Sequence, residues 1–204
     1  MKNLSSIILF TFIMVEAFPQ LSENRFENRK KEGYYNITQM GLLMGNRKLS
    51  DQNSYYYYNP NNNVQVTPSV TMINGVMSAE GWGVGIGAGF EIFEHNLFPV
   101  FIDFRHVLRD DDVSLFFAFK TGYSIGNLSK KTYDNVYFRN FGGLMVNPEM
   151  GIKIPLNEKA DLLFTVAYRY QKMKTTFTQR FNNYENEYNT SMNRMAFGVA
   201  IMFR

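Results

Sequence analysis

The sequence predicts an all-β fold: an eight-stranded antiparallel up-and-down transmembrane β-barrel. Three observations carry that prediction. Beyond the first 32 residues, apolar side chains recur with a period of two rather than 3.6. The stretches that keep this period are about 9–12 residues long, enough to cross a bilayer as a tilted strand. The connections between them alternate long and short, as in a meander with loops on one side of a membrane and tight turns on the other.

Composition narrows the function. The 204 residues allow one domain or two small ones. The absence of Cys excludes a disulfide framework, a thiolate metal site, a catalytic Cys and a lipidated N-terminal Cys. A net charge of only +3 argues against nucleic acid as a partner, because such binders carry a basic stripe. The chain has 19 Phe, 13 Tyr and 12 Met, yet its mean hydropathy is slightly negative. That excludes a polytopic helical membrane protein but not a barrel, where half of each strand is polar.

The elements follow in chain order. Lys2 forms a short positive region, Leu4 to Val15 is mostly apolar, and Val15-Glu16-Ala17 fits a small-residue cleavage site. Residues 1–17 therefore read as a secretory signal peptide cut after Ala17. Residues 18–32 are charged and aperiodic, with the cluster Arg29-Lys30-Lys31, and read as a flexible periplasmic leader. The barrel is assigned to residues 33–204. Its first two strands, near 33–46 and 66–77, are weakly patterned and their facing is open. The third, Trp82–Phe93, is the clearest. Trp82, Val84, Ile86, Ala88, Phe90 and Ile92 share one face, and Gly83, Gly85, Gly87, Gly89 and Glu91 the other. In the fourth, Val100–Leu108, Ile102 and Phe104 alternate with Asp103 and Arg105. The fifth, Leu115–Ile125, keeps the pattern apart from Thr121 on its apolar face. The sixth, near 142–154, is again open in facing. Leu162–Tyr170 and Met195–Phe203 complete the set.

Between these strands, Arg47–Gln65, Gly126–Asn140 and Met173–Ser191 read as long loops. Ser78–Gly81, Arg109–Asp112 and Pro155–Ala160 read as tight turns, and Glu94–Phe98 is of modest length. Backbone groups in lipid have no water partner, so the last strand is expected to pair with the first and remove the sheet's edges.

The run GVGIGAGFEIF, then FPVFIDFR at Phe98–Arg105, Gly122-Tyr123-Ser124, and Asn147-Pro148-Glu149-Met150-Gly151 resemble the small outer-membrane β-barrel proteins of Bacteroidetes-type bacteria. The resemblance covers roughly residues 66–172. It implies a barrel similar to the OmpA-like transmembrane domain, set in the bacterial outer membrane. The final strand ends the chain, so no peptidoglycan-binding domain is expected to follow it.

The same alternation predicts a charged lumen of Glu91, Asp103, Arg105, Lys120, Glu149, Lys153, Arg169 and Arg194. Arg or Lys facing lipid near the midplane costs about 2–4 kcal/mol, whereas inside the barrel acids and bases pair. An eight-stranded bore is narrow enough for side chains to fill. The expected role is structural or surface-interacting, with a plugged lumen and no enzymatic chemistry. Outer-membrane lipids are the expected partners. An extracellular ligand or surface is a further one, reached through the long loops and the run Tyr55, Tyr56, Tyr57 and Tyr58.

Three alternatives are weighed against it. A narrow channel for small solutes needs an open bore. A soluble lipocalin-like carrier would place its large apolar residues inside, but here they lie opposite the charges and glycines. A lipid A-modifying barrel enzyme would use His95 or His106, and neither lies in a His-x-Ser motif. No cofactor or metal is expected. Gly83-Val84-Gly85-Ile86-Gly87-Ala88 fits a loose dinucleotide pattern, with Asp103 twenty residues beyond Gly83. However, its glycines keep strand period and no helix pattern follows.

Overall fold

An apolar strand face can meet lipid only if every backbone N–H and C=O in the strand is paired, and a closed sheet achieves this. The computed structural model describes residues 32–49, 65–92, 96–108, 113–126, 131–133, 136–179 and 185–204. Their strands are β1 (Gly33–Leu49), β2 (Gln65–Met77), β3 (Trp82–Glu91), β4 (Leu97–Leu108), β5 (Ser114–Gly126), β6 (Lys131–Tyr133), β7 (Val136–Pro155), β8 (Ala160–Gln179) and β9 (Glu185–Phe203). The three-residue β6 only forms a hairpin with the start of β7. The other eight make an antiparallel up-and-down barrel: β5 pairs directly with β7, and β9 closes on β1.

The register sets the barrel's shape. A walk across paired residues runs Ile37, Ile73, Gly87, Phe101, Gly122, Met145, Gln171, Met192 and back to β1 at Arg47. It returns ten residues above its start (47 minus 37). Eight strands with that stagger tilt by about 40° and leave a backbone radius of roughly 8 Å, narrow enough for side chains to fill.

Alternation then assigns a face to the described side chains. On β3 and β4 the outward face is Trp82, Val84, Ile86, Phe98, Val100, Ile102 and Phe104, all exposed, while Glu91, Phe101, Asp103 and Arg105 are buried. The facings left open by the sequence resolve in the same way. On β1, Met40 and Leu42 point out and Tyr35, Ile37 and Leu43 point in. On β2, Val70 and Met72 point out and Thr71 and Ile73 point in. On β7, Leu144 and Met150 point out and Met145, Asn147, Glu149 and Lys153 point in. Phe98 and Leu108 bracket the outer apolar belt along β4. Ten residues at that tilt span about 25 Å, the height of a barrel's lipid-facing band.

Inward glycines make the bore passable for large side chains. A Cβ on Gly85 would lie 2.9 Å from the Tyr35 hydroxyl, one on Gly83 2.8 Å from Arg105 Cγ, and one on Gly151 2.7 Å from the Phe116 ring. Gly81, at φ +84°, closes the Ser78–Gly81 turn, where the Gly81 N–H donates to the Ser78 carbonyl at 3.0 Å. Thr121, the polar interruption on the outer face, donates its hydroxyl to the Met145 carbonyl at 3.4 Å and so meets its need within the sheet.

The strand lengths differ from the expectation. β7 and β8 each have 20 residues and β9 has 19, and much of the loop expected at Met173–Ser191 is strand. Likewise β1 runs to Leu49 and β7 begins at Val136. The apolar alternation marks only the part of a strand that faces lipid. Above it, the antiparallel ladder continues without that alternation, because the backbone bonds do not depend on side-chain polarity. Residues 1–31 of the expected signal peptide and leader, the tyrosines 55–58 and His95 lie outside the described residues.

Candidate functional site: the ionic lumen

All eight charged residues expected in the lumen are buried inside the barrel. They are arranged in tiers along its axis. The middle tier centres on Lys120 of β5. Its ammonium lies 2.6 Å from Glu149 Oε2 and donates to Gln39 Oε1 at 2.8 Å. The Gln39 amide in turn donates to Glu149 at 3.2 Å and to the Thr165 hydroxyl at 2.9 Å. β5 and β1 are four strands apart in either direction round the barrel, so the Lys120–Gln39 bond spans the bore. Beside it, Arg105 Nε meets Asp103 Oδ2 at 2.6 Å, and the Tyr35 hydroxyl donates to the same oxygen at 3.4 Å. The Arg105 guanidinium lies 5.3 Å from the Tyr35 ring centre and 5.8 Å from that of Phe116, within cation–π range.

The upper tier, toward the long-strand end, centres on Glu91. It receives Arg169 on one oxygen and Arg194 on the other at 2.9 Å, and Arg194 also donates to the side-chain oxygen Oε1 of Gln171. Leu97, Met173 and Met192 form a buried apolar cluster next above it. At the short-turn end, Arg204 lies 3.4 Å from Asp161 Oδ2, and Lys153 is buried in the same part of the bore. A larger apolar cluster, including Ile37, Ile73, Phe101, Phe116, Leu163 and Met202, fills the space around the lower and middle charges.

Several members of this network escaped the sequence reading. Tyr35 and Gln39 lie on a strand whose facing was open, and Gln171 and Thr165 carry no charge to mark them. One signal was present for Gln39. It shares a strand face with Gly41 and Gly45, the same company the charged residues keep on β3.

The outer surface carries its polar groups at the belt's margins. Trp82 and His106 are cross-strand partners, and their rings stack at 4.1 Å with 23° between planes near the short-turn end. His106 thus faces outward, away from every lumen carboxylate. At the same end the Tyr34 hydroxyl and the Asn36 amide both donate to Asn74 Oδ1, at 2.5 and 2.7 Å. Toward the other end the Tyr168 hydroxyl donates to Asn193 Oδ1 at 2.7 Å. A shallow apolar groove of about 1040 Å³ runs obliquely over the belt between the rows Leu115–Ile152–Phe164 and Phe117–Met150–Val166. Among the described residues, no group of three His, Cys, Asp or Glu is placed to hold a metal.

These features define a class: the eight-stranded transmembrane β-barrel, apolar outside and ionic within. The outer membrane protein OprG from Pseudomonas aeruginosa shares the fold, with a TM-score of 0.62 over 86% of this chain and 97% of that one, at 12% identity. Neisserial surface protein A aligns over 84% of this chain and 96% of its own, with a TM-score of 0.49 at 9% identity. At such identities the likeness is one of fold. No family model matches the chain, and no curated relative matches it.

Proposed function

We propose that the chain is an integral outer-membrane protein with a structural or surface-interaction role, its lumen plugged by side chains and free of catalytic chemistry. The observation that carries the plug is the pair of contacts crossing the bore, Lys120 to Gln39 and Glu91 to Arg169. A solute path would have to break both, exposing buried charges to each other's loss. The outer-membrane setting is supported by the apolar belt and by the shared fold with OprG, an outer membrane protein by name. Export by residues 1–17 with cleavage after Ala17, and membership among OmpA-like barrels of Bacteroidetes-type bacteria, belong to the same proposal and rest on sequence motifs. The long strand ends and the loop with Tyr55–Tyr58 supply the surface for an extracellular ligand.

Membrane fractionation with gel mobility before and after heating tests the setting. A folded barrel sediments with outer membranes and shifts on heating, whereas a soluble protein with unchanged mobility overturns the reading. Planar-bilayer recording tests the plug, and steady, selective conductance from the wild-type protein overturns it in favour of the narrow channel.

A further inference from the structure

The apolar belt is interrupted at one level, on β1 and β2. At the barrel's tilt, one hydrogen-bonded step round the sheet rises by about 3 Å and one residue along a strand by about 2.5 Å. Asn74 of β2 pairs with Ile86 of β3, which lies four residues above Trp82. Asn74 therefore stands about 7 Å above Trp82, inside the belt. By the same steps Phe104, Phe117, Phe164 and Ile201 share its level within about 2 Å, and all four are exposed on the outer face. On β1 and β2 that level carries Asn36 and Asn74 instead. Their neighbours Ile37 and Ile73 are buried, so alternation turns both asparagines outward. Tyr34 lies at the margin with Trp82, but the asparagines it joins lie deeper.

Their hydrogen bonds are half complete. Asn74 Oδ1 accepts from the Tyr34 hydroxyl at 2.5 Å and from Asn36 Nδ2 at 2.7 Å. Asn74 Nδ2 and Asn36 Oδ1 have no partner among the described residues. One of these atoms donates and the other accepts, and an acyl chain can do neither. An amide edge unmet in hydrocarbon is costly, and polar side chains at such depth find partners on another protein surface.

The two unmet groups are complementary to themselves. Asn36 and Asn74 are cross-strand partners, side by side and about 3 Å apart in level. A twofold axis along the membrane normal, passing between them, sets Asn36 of one copy against Asn74 of the other, and does so twice. Both copies keep the same orientation in the bilayer. Each gives one N–H and accepts one. Met72, exposed two residues above Asn74, lies beside the same axis.

We propose that the protein forms a twofold dimer in the membrane through the outer β1–β2 face, joined by reciprocal amide bonds from Asn74 Nδ2 to Asn36 Oδ1. This rests on the proposed membrane setting, since in water both groups would be solvated.

The test uses the full-length mature protein in liposomes. The chain has no Cys, so one introduced thiol reports neighbours without background. Met72→Cys is expected to form a disulfide between copies on oxidation with copper phenanthroline. Ile152→Cys on β7, four strands away in either direction, is not. Energy transfer between labelled copies, diluted in lipid, gives the dimerisation constant. Asn36→Leu and Asn74→Leu each remove both symmetric bonds. Each should lower that constant by about five- to tenfold, and the double variant no further. A mixture of the two single variants keeps one of the two bonds, and should associate more tightly than either variant alone. Heat-shifted gel mobility reports that each variant folds. No disulfide at Met72→Cys, equal disulfide at Ile152→Cys, or a constant unmoved by leucine overturns the proposal. So does a further loss in the double variant, or a Met72→Cys disulfide formed only with a different envelope protein in cells. A monomer that folds in liposomes with a heat shift sinks the dimer alone. A chain that stays out of liposomes and shows no shift sinks the membrane setting.

Discussion

Glu91 on β3 and Arg169 on β8 meet across the full bore, from strands four positions apart in either direction. With Arg194 on the other oxygen, one carboxylate ties together two guanidinium groups. Removing it leaves the lumen with buried positive charge that has lost its counterion. Glu91→Ala is therefore expected to destabilise the barrel by about 3–5 kcal/mol. Urea titration in micelles, read by gel mobility, checks this. A loss below about 1 kcal/mol would mean that water or repacking replaces the carboxylate.

The Lys120–Glu149–Gln39 tier makes a different prediction, about closure. Lys120→Ala/Glu149→Ala removes both charges together, so no unpaired ion remains, but the bore loses two long side chains. Planar-bilayer recordings should be silent for the wild type and show discrete conductance for the double variant. Silence in both would mean that the apolar layers around Phe101 and Phe116 close the bore unaided.

Gly85 lies under the Tyr35 hydroxyl, so a larger residue there competes with the phenol for one space. Gly85→Leu is expected to destabilise by about 1–3 kcal/mol through overpacking. Part of that loss should return in Tyr35→Ala/Gly85→Leu, and a double-mutant cycle measures the coupling. Additive effects would place the strain elsewhere.

Ile86 is 68% exposed and sits mid-belt on β3. Ile86→Arg is expected to cost about 2–4 kcal/mol in a bilayer, by the depth dependence of charge on a barrel's lipid face. Lys172→Ala, at an exposed position two residues beyond Tyr170 on β8, should change stability by less than about 0.5 kcal/mol. Refolding equilibria in liposomes compare the two.

Trp82 is the single Trp of the chain, which makes it a clean depth reporter. It stands at the first residue of β3, at the belt's short-turn margin. Lipids brominated near the headgroup should quench its emission more than lipids brominated near the chain ends. His106→Ala, which removes the stacked ring, should shift the emission while leaving that order unchanged.

Much of the fold is legible in the sequence, because a membrane imposes period two with unusual force. An inward Gly85 beside an outward Ile86 leaves no second reading. The turn at Ser78–Gly81 was equally clear. Two things were not legible. Strand ends such as Thr175–Gln179 carry no apolar alternation, since beyond the lipid only the backbone ladder holds them. The partners of the lumen charges were hidden as well. Alternation assigns a face but not a tier, and the meeting of Glu91 with Arg169 depends on a ten-residue stagger accumulated round the whole sheet. Neutral members such as Gln39 were harder still, their role set by which charges the register brings beside them.

The closing seam has a consequence in time. Asn36 pairs with Phe203, so the first and last strands of the barrel become neighbours only after every strand between them is available. Until β9 is in place, one edge of β1 has no partner. That seam joins the residues most distant in sequence, so its closure is expected to come late and to limit the rate of assembly.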